Sequence, residues 1–127
     1  MTPVVLDASV VVAAVLNEPG GHRAVGHHQP PIMSAVNYAE VRSRLTDVGM
    51  SAESIDLALE LFKLDVVAFD KAQADGVAAI RDATRSACLS LGDRACIGLA
   101  ASLGALVLTA DRAWKRVDLS VQIELVR

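Results

Sequence analysis

Aromatic residues are scarce in this chain of 127: one Trp, one Tyr and two Phe make up 3% of it. Hydrophobic residues make up 53%, so the core has to be packed from Val, Leu, Ala and Ile, a composition typical of alternating strands and helices. Cysteine is scarce too. Cys88 and Cys96 are not spaced as CxxC and have no His near them in sequence, which argues against a zinc site, and a chain of this length buries a core without disulfides or a structural metal. Cys96, set between Ala95 and Ile97, reads as a small buried hydrophobe. Long apolar runs are missing: the longest covers 10–16, against the ~18 to 20 residues needed to cross a bilayer. The opening "MTPVVLDASV" has no basic stretch and reaches an acid at Asp7, which makes it a poor signal peptide. A cytoplasmic, soluble protein with no membrane partner is the expectation. No repeat, linker or low-complexity segment divides the sequence, so one domain over 1–127 is expected.

There is no basic excess. Twelve Lys and Arg against fifteen Asp and Glu leave a net charge of −3, which on its own argues mildly against nucleic acid. Placement matters more than the sum. Arg42 and Arg44 follow Glu40, Arg94 follows Asp93, and Arg112, Lys115 and Arg116 follow Asp111, which allows basic rims around acidic points. His22, His27 and His28 fall in "GGHRAVGHHQPP", a Gly- and Pro-punctuated loop with no carboxylate or Cys to complete a metal site, and read as solvated surface.

What is present is a run of short strands and helices. "VVL" before Asp7 is a strand, and "VVVAAVLNEPG" after Ser9 is a helix closed by Pro19 and Gly20. "PIMS" is a second short strand or turn, and 35–48 is a helix with Tyr38, Val41, Leu45 and Val48 as its apolar stripe. "SAES" has a capping-box pattern with Ser51 as N-cap, opening a helix that carries Ile55, Leu57, Leu59, Leu61 and Phe62. "LDVVAF" is a strand, 71–84 an Ala-rich helix, "LSLGDRACIGLAASLG" (89–104) a helix, "ALVLT" a strand, 112–116 a short helix and "VQIEL" the last strand. Apolar strands without clean alternation, separated by helices, indicate α/β architecture: a parallel central sheet of four to five short strands with helices on both faces.

In such sheets ligands gather at the carboxyl ends of the strands. Asp7 follows one strand and Asp111 another, Asp93 opens the helix leading into the second, and Glu40 sits on the flank of its helix's buried face, about 120° from the centre of the stripe at ~100° per residue. Singly, each acid has an ordinary explanation: N-caps for Asp7, Asp93 and Asp111, and an i,i+4 pair with Arg44 for Glu40. Gly92 would let the chain turn tightly before Asp93. Together, acids converging on one sheet edge repel unless a cation lies among them, and hard oxygen donors favour Mg²⁺ or Mn²⁺.

"VVLDAS", "NYAEV" and "LSLGDRACIGLAASLGALVLTADRAW", in that order, resemble the PIN-domain ribonucleases, most closely the VapC toxins of bacterial toxin–antitoxin pairs. The resemblance runs the length of the chain. By it, Asp7, Glu40, Asp93 and Asp111 match the four catalytic, metal-binding acids, Ser9 the hydroxyl residue after the first, and Thr109 the one before the fourth. Where many relatives carry a further acid two residues beyond the fourth, this chain has Ala113, which removes a ligand from a second metal position. The resemblance implies an endoribonuclease whose carboxylates hold Mg²⁺ or Mn²⁺ while water hydrolyses a phosphodiester of tRNA or another structured RNA. It also implies neutralisation by a cognate VapB-like antitoxin, and a homodimer, for which the helix at 55–62 offers a contact. No His or Lys is placed to activate a ribose 2′-hydroxyl, so 5′-phosphate and 3′-hydroxyl ends are expected. Two other readings exist: a non-catalytic RNA- or partner-binding protein of the same fold, and an aspartyl phosphatase, which would need an acid where Ser9 stands.

Overall fold

Runs of three and four residues become the strands of a single sheet in the computed structural model, which describes residues 2–116 and 119–127. In chain order they are β1 (Val4–Leu6), β2 (Ile32–Ser34), β3 (Asp65–Val67), β4 (Leu106–Thr109) and β5 (Gln122–Leu125). All pair in parallel in the order β3-β2-β1-β4-β5. The strand order reverses direction at β1 and β4, which is where a parallel sheet opens a crevice between diverging connections.

Successive strand residues point to opposite faces and supply two cores. Leu6, Met33 and Leu108 meet the helices α1 (Ala8–Val15), α2 (Ala35–Asp47) and α3 (Ala52–Glu60). Val5 and Val107 meet the helix α6 (Leu91–Leu103) through Cys96, Ile97, Leu99 and Ala100, with Trp114 packed against the same cluster. The expected α/β sheet covered on both faces is therefore the architecture observed. Among the described residues no helix is long and apolar enough to cross a membrane.

Several local expectations change. The Ala-rich helix over 71–84 is broken: α4 (Lys71–Ala79) ends at Ile80, and a single turn, α5 (Arg81–Thr84), follows. Ser51 caps α3 by accepting from the Ser54 N–H, but the reciprocal half of a capping box is missing, because the third helical position is Ser54 and not an acid. The helix expected over 89–104 begins only at Leu91, with Ser90 as its cap. In α2 the stripe holds at Val41 and Leu45, whereas Val48 lies past the helix end and is exposed.

Gly21 stands where any side chain would collide. A Cβ there would lie 2.5 Å from the backbone of Ala14, so the turn after α1 packs directly on that helix.

Candidate active site

β1 and β4 are in register from Val4 opposite Leu106 to Leu6 opposite Leu108. One further backbone bond, Asp7 N–H to the Leu108 carbonyl (3.0 Å), carries the pairing to the strand ends and sets Asp7 beside Thr109. Asp7 occupies the N-cap position of α1 but its side chain does not cap. Its Oδ2 instead accepts from the Ser9 hydroxyl (2.6 Å) and the Thr109 hydroxyl (2.9 Å). Ser9 Oγ in turn accepts from the Ala110 N–H, and Thr109 Oγ1 from the Asp111 N–H, so the two strand ends are laced together around one carboxylate.

Asp7 is 5% exposed, and burial pushes its carboxyl up to about 6 from an ordinary 3.8. The hydroxyls of Ser9 and Thr109 pull it back down, while the charges of Asp93 and Glu40 raise it further. Asp7 thus lies within reach of the charges of both Asp93 and Glu40. Beneath them Cys96 is fully buried. Burial, with Asp7, Asp93 and Glu40 adding to it, pushes its thiol well up, so it stays neutral and behaves as the small core hydrophobe its neighbours suggested.

Glu40 reaches the cleft because β2 runs straight into α2: Ser34 ends the strand and caps the helix, accepting from the Val36 N–H. The ion pair expected between Glu40 and Arg44 does not form. Glu40 Oε1 accepts instead from Asn37 Nδ2 at 2.8 Å, three residues back on the same helix. Asn37 also donates to the Gly92 carbonyl, which ties α2 to the first turn of α6.

Asp93 is not an N-cap. It is the third residue of α6, where it completes a capping box: Ser90 Oγ accepts from the Asp93 N–H and Asp93 Oδ2 accepts from the Ser90 N–H. Gly92 makes no tight turn either. It lies inside the helix, outside the left-handed region, and an added Cβ there would fall 2.5 Å from Glu40 Oε1. The carboxylates of Glu40 and Asp93 thus both lie against the positive end of α6, which offsets part of their repulsion. Asp111 does cap: its Oδ1 accepts from the Ala113 N–H at the start of a short 3₁₀ turn, Arg112–Arg116. It is exposed, at the rim.

Asp7, Glu40, Asp93 and Asp111 line one cleft of about 380 Å³, together with Ser9, Ser90, Arg44 and Arg127. The donors are oxygens throughout, the chemistry of a hard divalent cation. Each carboxylate has one oxygen held by the protein, and among the described residues Asp7 Oδ1, Glu40 Oε2, Asp93 Oδ1 and Asp111 Oδ2 accept no hydrogen bond. One oxygen held and one open is how ligating carboxylates are oriented. The donor set therefore fits the cation. It is not a closed cage: among the described residues no three acids, His or Cys are gathered tightly enough to hold an ion as they stand, so the carboxylates would have to turn inward.

The basic rim is smaller than the sequence suggested. Arg42 pairs with Asp56 and lies over the Tyr38 ring, and half-buried Arg94 donates to the Val77 carbonyl. Arg112 and Lys115 line a neighbouring groove. Arg44 and Arg127 line the cleft, the latter while donating to the Pro19 carbonyl and pairing with Glu18, and Arg127 has no motif to mark it in sequence. Asn37 was missed as well, although its place three residues before Glu40 on one helix was a usable signal.

The PIN domain family model matches residues 4–119, and the chain belongs to the PIN domain family. Among solved structures it is similar to VapBC2 from Rickettsia felis bound to a promoter DNA fragment, at 16% identity over 96% of this chain and 97% of that one, with a TM-score of 0.74. DNA-bound VapBC from Salmonella typhimurium matches at 18% identity over 100% of both chains, with a TM-score of 0.74. A toxin–antitoxin complex from Klebsiella pneumoniae matches at 12% over 98% of both chains, with a TM-score of 0.75. At such identities the likeness is one of fold. No curated protein is matched by sequence.

Proposed function

We propose that this chain is a VapC-type toxin: an endoribonuclease that uses Mg²⁺ or Mn²⁺ to hydrolyse phosphodiester bonds in tRNA or another structured RNA. The observation that carries the reading is the cleft in which Asp7, Glu40, Asp93 and Asp111 each keep one oxygen open. These four would hold the cation. When bound it supplies a water of lowered pKa and neutralises charge on the phosphodiester.

The protein's own residues prepare that site. Ser9 and Thr109 hold the Asp7 carboxylate by one oxygen and keep it from capping α1. The first turn of α6 presents Asp93 through its box with Ser90. Arg44, at the mouth, is placed to take up RNA phosphates, a contact that positions a backbone without reading bases, while Arg127 beside it donates to the Pro19 carbonyl and pairs with Glu18 at 3.7 Å. A VapB-like antitoxin is the proposed partner, covering this cleft, and the complexes named above support that assignment.

The test is cleavage of a mixture of structured RNAs. Activity with Mg²⁺ or Mn²⁺ that disappears in excess EDTA, leaving 5′-phosphate ends, is the expected result, and full activity in EDTA would sink the metal reading. Ala113 favours a second reading, since its half-buried position offers no carboxylate: RNA binding at this cleft without cleavage in any divalent cation would mark the non-catalytic form.

A further inference from the structure

Asn37 is fully buried and unevenly partnered. Its Nδ2 donates to Glu40 Oε1 (2.8 Å) and to the Gly92 carbonyl (2.9 Å), while Oδ1 meets no donor among the described residues. Both neighbours are pure acceptors, so the amide cannot turn over without setting its own oxygen against a carboxylate and a carbonyl. An unpartnered buried oxygen weakens a fold, and here it is kept alongside the two bonds that the amide nitrogen makes. Gly92 is as unusual on local grounds. Its φ lies outside the left-handed region, so the backbone at this second position of α6 does not require glycine, yet a Cβ would come within 2.5 Å of Glu40 Oε1 and 2.7 Å of Oε2. Asn37 and Gly92 thus converge on one carboxylate.

We propose that Asn37 and Gly92 form a positioning cradle for Glu40, in which Asn37 ties Oε1 to the first turn of α6 and Gly92 leaves the room, so that Oε2 is held ready for the cation. The inference rests on Glu40 being a metal ligand, as proposed above. Neither cradle residue touches substrate. Their role is to keep the carboxylate on α2 and the Asp93 turn of α6 in one fixed relation, which two helices packed by apolar contacts alone would not ensure.

The test uses the whole chain with Asn37→Leu and Gly92→Ala, read by thermal melts in metal-free buffer, by melts across a Mn²⁺ titration, and by kcat and KM on a cleaved RNA. Gly92→Ala is expected to melt near the parent without metal, because its Cβ meets only the movable end of the Glu40 side chain, whereas Asn37→Leu sheds an unpartnered oxygen but also the donor to the Gly92 carbonyl and Glu40 Oε1, and is expected to melt somewhat below the parent. Both should nonetheless need roughly tenfold or more extra Mn²⁺ to reach half of the parental metal shift, and lose a similar factor in kcat while KM changes little. Parental Mn²⁺ dependence in both variants overturns the cradle while leaving the nuclease reading intact. A parent whose melting ignores Mn²⁺ overturns the ligand role of Glu40, and the cradle with it. If Asn37→Leu does not fold, Gly92→Ala decides by the same readings.

Discussion

Asp7 shows how one residue's surroundings set both its chemistry and its cost. Its carboxyl, pushed up to about 6 in the folded chain against an ordinary 3.8, binds a proton more tightly folded than unfolded. The folded state is therefore favoured most below pH ~4, and that advantage is lost as pH rises through about 6, a swing of roughly 3 kcal/mol for a buried group. Asp7→Asn keeps an oxygen for the Ser9 and Thr109 hydroxyls and removes the buried charge. In metal-free buffer it should melt well above the parent at pH 8 and close to it at pH 4. Identical pH profiles for the two proteins would show that Asp7 carries no such penalty. Glu40→Gln isolates the charge in the same way, because its amide oxygen can still accept from Asn37. The fold should persist within a few tenths of a kcal/mol while RNA cleavage collapses. Equal cleavage rates would return Glu40 to an ordinary helix residue. Both acids could be picked out in the sequence. Ser9 and Asn37 lie two and three residues from the acids they hold and Thr109 was marked by the family resemblance, but that Thr109 bonds Asp7 from 102 residues away, and that Gly92 fixes Asn37 from 55 residues away, only the fold decided.

At the scale of elements, α6 brings Asp93 to the cleft in its first turn. Its capping box makes Asp93 both a helix stabiliser and an open oxygen donor, so the two roles need not compete: Oδ2 serves the helix and Oδ1 is left for the cleft. Asp93→Asn retains an oxygen for the Ser90 N–H and costs the helix only its dipole contribution, about 0.3–1 kcal/mol, while relieving repulsion with Asp7. The variant should melt near or above the parent without metal, gain less from added Mg²⁺ or Mn²⁺, and lose cleavage, because a weaker site adds less stability by mass action. A variant that cuts at the parental rate with an unchanged metal shift would leave Asp93 as a helix residue only. Elements were legible where periodicity was strong, as in β1, β4 and the body of α2. They were misread at their ends. An acid inside the first turn of α6 looked like the cap itself, and nothing local to the Ala-rich run marked the break at Ile80.

For the whole molecule, the segment expected to serve as a homodimer contact is only partly free to do so. Ile55, Leu59 and Phe62 are consumed by the chain's own core, whereas Leu57 and Leu61 stand 67% and 75% exposed, four residues apart. A homodimer through this region would have to use those two side chains. The double substitution Leu57→Glu, Leu61→Glu should convert a dimer to monomer in sedimentation equilibrium without lowering the monomer's melting temperature. A dimer that survives it uses another surface.

The sequence by itself determined the pieces that depend on neighbours along the chain: the strands ending at Asp7 and Asp111, the helix carrying Glu40, the parallel two-faced sheet, and oxygen-only donors suited to a hard cation. These follow from hydrophobic period and residue chemistry, which are local. Tertiary structure decided what each carboxylate does with its two oxygens. The β1–β4 register put Thr109 against Asp7, and the approach of α2 to α6 gave Asn37 and Gly92 their bearing on Glu40. It also chose Arg44 and Arg127 from among twelve basic residues as those at the cleft. Such choices turn on distances between segments far apart in the chain, and composition, spacing and periodicity do not encode a distance.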